Sequence, residues 1–151
     1  MNGYLFRVII SGACNPADTS AVVTLTVHDR PEILVQPSAT VICEDGITLI
    51  GIDAGVTTNA TFQWQVDDLL GGGFTYISGA PYTGFNTDTL IINPAISSMH
   101  GYSYQVILNG ACPPSLTSNS VDLTVNEKPE VIVHPVDSTV CEGAQSAFTV
   151  A

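Results

Sequence analysis

Basic residues are nearly missing from this chain. Arg7, Arg30 and Lys128 stand against 14 acidic side chains, giving a formal net charge of −11 over 151 residues. Such a surface repels phosphate backbones and offers no cationic stripe, so nucleic acid is excluded as a partner. The same shortage removes an electrostatic anchor for anionic lipid. No apolar run approaches the roughly 20 residues of a spanning helix, so direct membrane insertion is not expected. Residues 1–10 lack a basic segment followed by an apolar stretch and a small-residue cleavage site, which places any export address outside this sequence. The chain also has no Cys-x-x-Cys pair, no Gly-x-Ser-x-Gly elbow, no Asp-x-Asp-x-Asp loop and no helical pattern to carry a nucleophile. Asp67-Asp68, with Asp53 or Asp88, is therefore expected to be a solvated hairpin and not a calcium site. The three histidines do not recur: the repeat described below aligns His28 with Asn126 and His134 with Gln36. No catalytic residue, metal site or cofactor is assigned.

What the chain does have is an internal repeat. At a constant spacing of 98 residues, Gly3-Tyr4 matches Gly101-Tyr102, Gly12-Ala13-Cys14 matches Gly110-Ala111-Cys112, and Leu25-Thr26-Val27 matches Leu123-Thr124-Val125. The register continues without a gap: Pro31-Glu32, Pro37 and Cys43-Glu44 meet Pro129-Glu130, Pro135 and Cys141-Glu142. One module is thus about 98 residues long. Residues 31–127 form the complete copy, with 1–28 the C-terminal part of one repeat and 130–151 the N-terminal part of the next. Met1 is matched by the internal Met99, so it is read as an ordinary repeat position and not as a natural initiator.

The complete copy alternates apolar and polar residues with the period of strands. Phe62, Trp64 and Val66 alternate with Gln63 and Gln65. Tyr102, Tyr104, Val106 and Leu108 form a second run and Val121, Leu123 and Val125 a third. Trp64, Tyr102 and Tyr104 are accordingly expected in the core, while Tyr76 and Tyr82, beside Gly-rich turns, are the better candidates for exposure. Adding runs at 32–36, 47–52, 74–78 and 88–92 gives seven strands, with turns at Gly71-Gly72-Gly73 and Gly79-Ala80-Pro81. The fold class expected is all-β, a tandem of immunoglobulin-like β-sandwich repeats. Arg30-Pro31 and Lys128-Pro129 mark the joints. Proline fixes its own φ and restricts its predecessor, so both should be short and extended.

The order Cys43, Trp64, a Tyr-rich strand and Cys112 resembles the Cys, Trp, Tyr, Cys plan of immunoglobulin domains, except that Cys112 lies beyond the strand, in the loop Gly110-Ala111-Cys112-Pro113-Pro114. Phe62-Gln63-Trp64-Gln65, Thr89-Leu90-Ile91-Ile92 and Met99-His100-Gly101-Tyr102-Ser103-Tyr104 resemble more closely the Ig-like repeats of very large secreted surface proteins of Bacteroidota. That resemblance implies a non-catalytic spacer, stalk or filament module at the extracellular cell surface. Its implied partners are neighbouring repeats of the same chain, other copies in a filament, or surface glycans and proteins. A ligand-binding adhesive module, or an accessory module of an exported enzyme, is the alternative. Two cysteines per module suit an oxidising compartment. Pairing Cys43 with Cys112 encloses 68 residues and would constrain the unfolded chain by about 4 kcal/mol. It leaves Cys14 and Cys141 to pair outside the fragment. Cys14 with Cys43, and equally Cys112 with Cys141, also tiles. The family plan and the longer loop favour the within-module bond. The general O-glycosylation signal of Bacteroidota resembles Asp137-Ser138-Thr139 and Asp88-Thr89-Leu90, which makes Ser138 and Thr89 the candidate acceptors.

Overall fold

A computed structural model describes residues 1–151. Every buried residue lies between Pro31 and Val125, because only there do two sheets face one another. The larger sheet runs β5 (Thr40–Cys43), β13 (Val121–Asn126), β11 (Ser103–Asn109), β7 (Thr61–Asp67), β8 (Thr75–Tyr76), and β12 (Leu116–Thr117) also pairs with β11. The smaller sheet runs β6 (Thr48–Gly51), β10 (Thr89–Ile92), β9 (Tyr82–Thr83). Apart from one 3-10 turn, Ser97–Met99, no regular helix is present.

The expected alternation decides the packing. Trp64, Tyr104, Val106, Leu123 and Val125 project from the larger sheet against Ile50, Leu90 and Ile92 of the smaller one. Tyr102 is half-buried against this cluster. The indole N–H of Trp64 donates to the Thr87 carbonyl at 2.9 Å, so the largest core side chain leaves no orphan donor.

Four details differ from the sequence expectation. The run at 32–36 makes a single bridge, Val35 to Asp53, since Pro31 and Pro37 bracket it and donate no N–H. The strand that closes the larger sheet is instead Thr40–Cys43, parallel to β13. The run at 74–78 shortens to two residues. Tyr82 is not exposed: its ring meets Tyr104 edge-on, with centroids 6.0 Å apart.

Several hydrogen bonds within residues 31–127 recur at the 98-residue spacing in the segments on either side. In residues 1–28, β1 (Leu5–Phe6) pairs with β4 (Val23–Thr24) and β2 (Ile9–Ile10) with β3 (Asp18–Thr19). The Gly3 N–H bonds to the Leu25 carbonyl as Gly101 bonds to Leu123, and both glycines hold positive φ, 81° and 84°. At the other end, Ile132 and Val133 donate to the Ala151 carbonyl as Leu34 and Val35 donate to Asp53.

Candidate functional site: the two ends of the sandwich

Several polar contacts of this chain gather at the two ends of the sandwich. At the proximal end, where the chain enters at Pro31, the Asp29 N–H donates to Thr58 Oγ1 at 3.1 Å and the Glu32 N–H to Thr57 Oγ1 at 3.1 Å. The Ala111 N–H binds the Thr58 carbonyl at 2.8 Å. Cys112 Sγ lies 3.6 Å from the His28 carbonyl oxygen. Two threonine hydroxyls thus hold the backbone on both sides of the Arg30-Pro31 step. The sequence reading did not single them out, because a Thr in a Thr-rich loop carries no pattern.

At the distal end, Cys43 stands beside Asn126 in the parallel pairing of β5 and β13, and the Glu44 N–H donates to the Asn126 carbonyl at 2.9 Å. Lys128 Nζ meets Asp45 Oδ2 at 2.6 Å. That hydrogen bond and the carboxylate charge hold the ammonium above its ordinary pKa.

This geometry corrects the expected disulfide. β11 runs antiparallel to β13, with Ser103 opposite Asp122. Cys112 follows the far end of β11, whereas Cys43 stands beside the last residue of β13. At about 3.4 Å per residue the two are separated by roughly 30 Å, and a disulfide needs Cα atoms within about 7 Å. All four cysteines are free thiols. The tiling pairs fail for the same reason. Cys14 caps the β2–β3 hairpin, away from the joint, while Cys43 lies at the other extreme of the complete copy. Cys112 and Cys141 are the 98-residue counterparts of Cys14 and Cys43, so the same argument applies to them.

The remaining candidates are scattered. Asp67 and Asp68 cap their own turn, accepting from the Leu69 and Leu70 N–H groups at 3.1 Å each, and Asp53 likewise accepts from Gly55 at 2.8 Å. His100 Nδ1 lies 3.1 Å from the Val125 carbonyl. Ser138 is exposed, with Ser146 Oγ donating to its hydroxyl at 2.8 Å, and Thr89 is half-buried in β10. Nowhere do three His, Cys, Asp or Glu side chains converge as metal ligands would. Within the core, the Tyr82 and Tyr104 hydroxyls meet at 3.2 Å. Burial, foremost, raises the pKa of both above the ordinary phenol value.

Solved structures with this arrangement include an I-band fragment of titin, at TM-score 0.56 and 17% identity over 73% of this chain and 37% of that one. Extracellular domains 3-5 of Drosophila OTK match at TM-score 0.53 and 18% identity, over 90% of this chain and 43% of that one. The tandem Ig repeats of Dlar match at TM-score 0.53 and 21% identity, over 75% and 56%. The fold is an immunoglobulin-like sandwich. The chain spans about half or less of the length of these structures, and at such identities the likeness establishes the fold alone. No protein-family model and no curated protein matches the chain. No helix is long and apolar enough to cross a membrane.

Proposed function

We propose that this chain is a stretch of a tandem Ig-like array in a large secreted surface protein, in which each repeat acts as a non-catalytic spacer of fixed direction. Residues 31–127 make one complete repeat, 1–28 the end of the preceding one and 130–151 the start of the next. The observation that carries the reading is the pinned joint. Asp29 and Glu32, on either side of Arg30-Pro31, donate to Thr58 and Thr57, so the step between repeats is tied to the sandwich and does not swing freely. The recurrence of whole hydrogen-bond sets at a spacing of 98 residues supports the array, and the resemblance of the Trp64 and Tyr102 motifs supports an extracellular surface setting. Ser138, exposed on a loop, is the better glycan acceptor of the two candidates. Its modification would show as added mass on protein from the native source.

The test is small-angle scattering on two copies of residues 31–128 joined in tandem, which recreate the joint between complete repeats, and on the Thr57→Val/Thr58→Val variant of that tandem. An elongated particle that becomes broader in its distribution of lengths when the hydroxyls are removed supports the spacer. An unchanged distribution removes the pinned joint from the argument. Antibody labelling of intact cells of the source organism checks the surface location.

One observation favours the adhesive alternative. The turn between β7 and β8 exposes Leu69 and Leu70, and Tyr76 is exposed on β8 itself; exposed apolar side chains along one hairpin suit contact with another molecule. Replacing the three with Ser should abolish attachment if the module is adhesive and leave it intact if the module is a spacer.

A further inference from the structure

The two cysteines of the complete repeat lie far apart within it, yet each approaches the same kind of residue. Cys112 Sγ lies 3.6 Å from the carbonyl oxygen of His28, the last residue before the proximal joint. Cys43 is the parallel partner of Asn126, the last residue before the distal joint. His28 and Asn126 are counterparts at the 98-residue spacing. Placing the proximal arrangement on the distal joint therefore sets the next repeat's counterpart of Cys112 against the Asn126 carbonyl. That oxygen already accepts the N–H of Glu44, the residue after Cys43, at 2.9 Å. Two donors on one carbonyl, a thiol and the amide next to the other cysteine, would then stand within a few ångströms of each other.

We propose that Cys43 of one repeat and the Cys112 counterpart of the following repeat form a disulfide across the joint. The inference rests on the tandem-array reading. It accounts for the exposure of Cys43, which points out of the sheet and not into the core. It also accounts for the place of Cys112 beyond the strand, and for there being one cysteine at each end of a repeat. The chemistry is thiol–disulfide exchange with an oxidising dithiol-disulfide catalyst or a small-molecule disulfide of an extracytoplasmic compartment. The thiolate of one cysteine attacks a sulfur of that oxidant, forming a mixed disulfide and releasing one thiol. The second thiolate then attacks the mixed disulfide, forming the Sγ–Sγ bond and releasing the other thiol. The two cysteines lose two protons and two electrons, and the oxidant gains them.

The test extends the full chain at Ala151, the counterpart of Asp53, with a second copy of residues 54–127, which completes the following repeat. After equilibration in a glutathione redox buffer, non-reducing peptide mapping should recover the Cys43 peptide linked to the copied Cys112 peptide. Cys14, Cys112 and Cys141 should remain alkylatable. Cys43→Ser should abolish the link. Any other pairing, or free thiols in an elongated particle, overturns the disulfide while leaving the array standing. A compact particle with the repeats side by side overturns both. A second experiment needs no extension. A peptide of residues 38–45, activated at Cys43 as a pyridyl disulfide, mimics the strand of a preceding repeat and should couple to Cys112 faster than to Cys14 or Cys141. Equal or reversed rates count against the proposal.

Discussion

Ser118 Oγ accepts the buried N–H of Val106 at 3.0 Å while the Ser118 N–H donates to the Val106 carbonyl at 2.9 Å. The strand opposite β11 breaks here into β12 and β13, and the serine hydroxyl fills the place of the missing backbone acceptor. Ser20 makes the same pair of bonds to Val8 in the flanking copy. Ser118→Ala leaves a buried donor without a partner and is expected to cost about 1–3 kcal/mol. Ser118→Thr, which keeps the oxygen, should recover most of it. Urea denaturation of the two variants decides the matter, and equal loss in both would assign the serine a packing role instead.

The alternating runs around Trp64, Tyr104 and Leu123 made the core legible, because a period of two states which face is buried whatever the sheet order. The 98-residue spacing needs only identity and not geometry, and the Gly3–Leu25 bond recurs along it at Gly101–Leu123. The disulfide was not legible. Cysteine order along the chain says nothing of which end of a sandwich each one occupies; the one sequence signal against the pairing was the place of Cys112 beyond the strand's end, where the family plan sets its second cysteine inside the strand. Tyr82 was misplaced because a neighbouring glycine turn signals surface, while the cross-sheet partner that draws the ring inward, Tyr104, lies 22 residues away. The match of Ser20 with Ser118 was the one signal that could have exposed the interrupted strand.

Trp64 is fully buried and hydrogen-bonded. Trp64→Ala is expected to cost about 3–5 kcal/mol through the cavity it leaves. Replacing His28, His100 and His134 together with Asn should change stability by well under that, about 0.5 kcal/mol per site for surface positions. Loss of an adhesion or filament phenotype in the histidine variant, with an unchanged melting temperature, would expose a functional site where the present reading sees scaffold.

The Tyr82–Tyr104 pair gives the fold an alkaline limit. Burial raises both folded-state pKa values, so the unfolded chain loses these protons first, near the ordinary value of about 10. Stability from the pair is complete below that pH and is lost as pH rises through it toward the folded values. The slope is at most about 1.4 kcal/mol per pH unit from Tyr104, and less from the half-buried Tyr82, where solvent screens the effect. Thermal unfolding between pH 8 and 11.5 should show the wild-type midpoint falling more steeply than that of Tyr82→Phe/Tyr104→Phe. Parallel curves would mean that other groups set the alkaline limit.

The last expectation concerns the flanking segment, whose apolar positions are those of the core. Phe6 and Val8 are the counterparts of Tyr104 and Val106, yet they are 49% and 56% exposed where the latter are 0%. Leu25 and Val27 likewise match the buried Leu123 and Val125. A two-stranded ribbon with one greasy face and open edges has nothing in residues 1–28 to cover it, and such faces associate. The isolated 151-residue chain should therefore form concentration-dependent oligomers in sedimentation velocity. Its amides over 1–28 should exchange far faster than those over 31–127, since few buried contacts oppose local opening. Phe6→Lys/Val8→Glu should return the chain to a monomer without lowering the melting temperature of the complete repeat. A wild-type chain that stays monomeric, with even protection from residue 1 to residue 151, would show that the flanking segments are folded units in their own right and would overturn the boundaries proposed at 28 and 130.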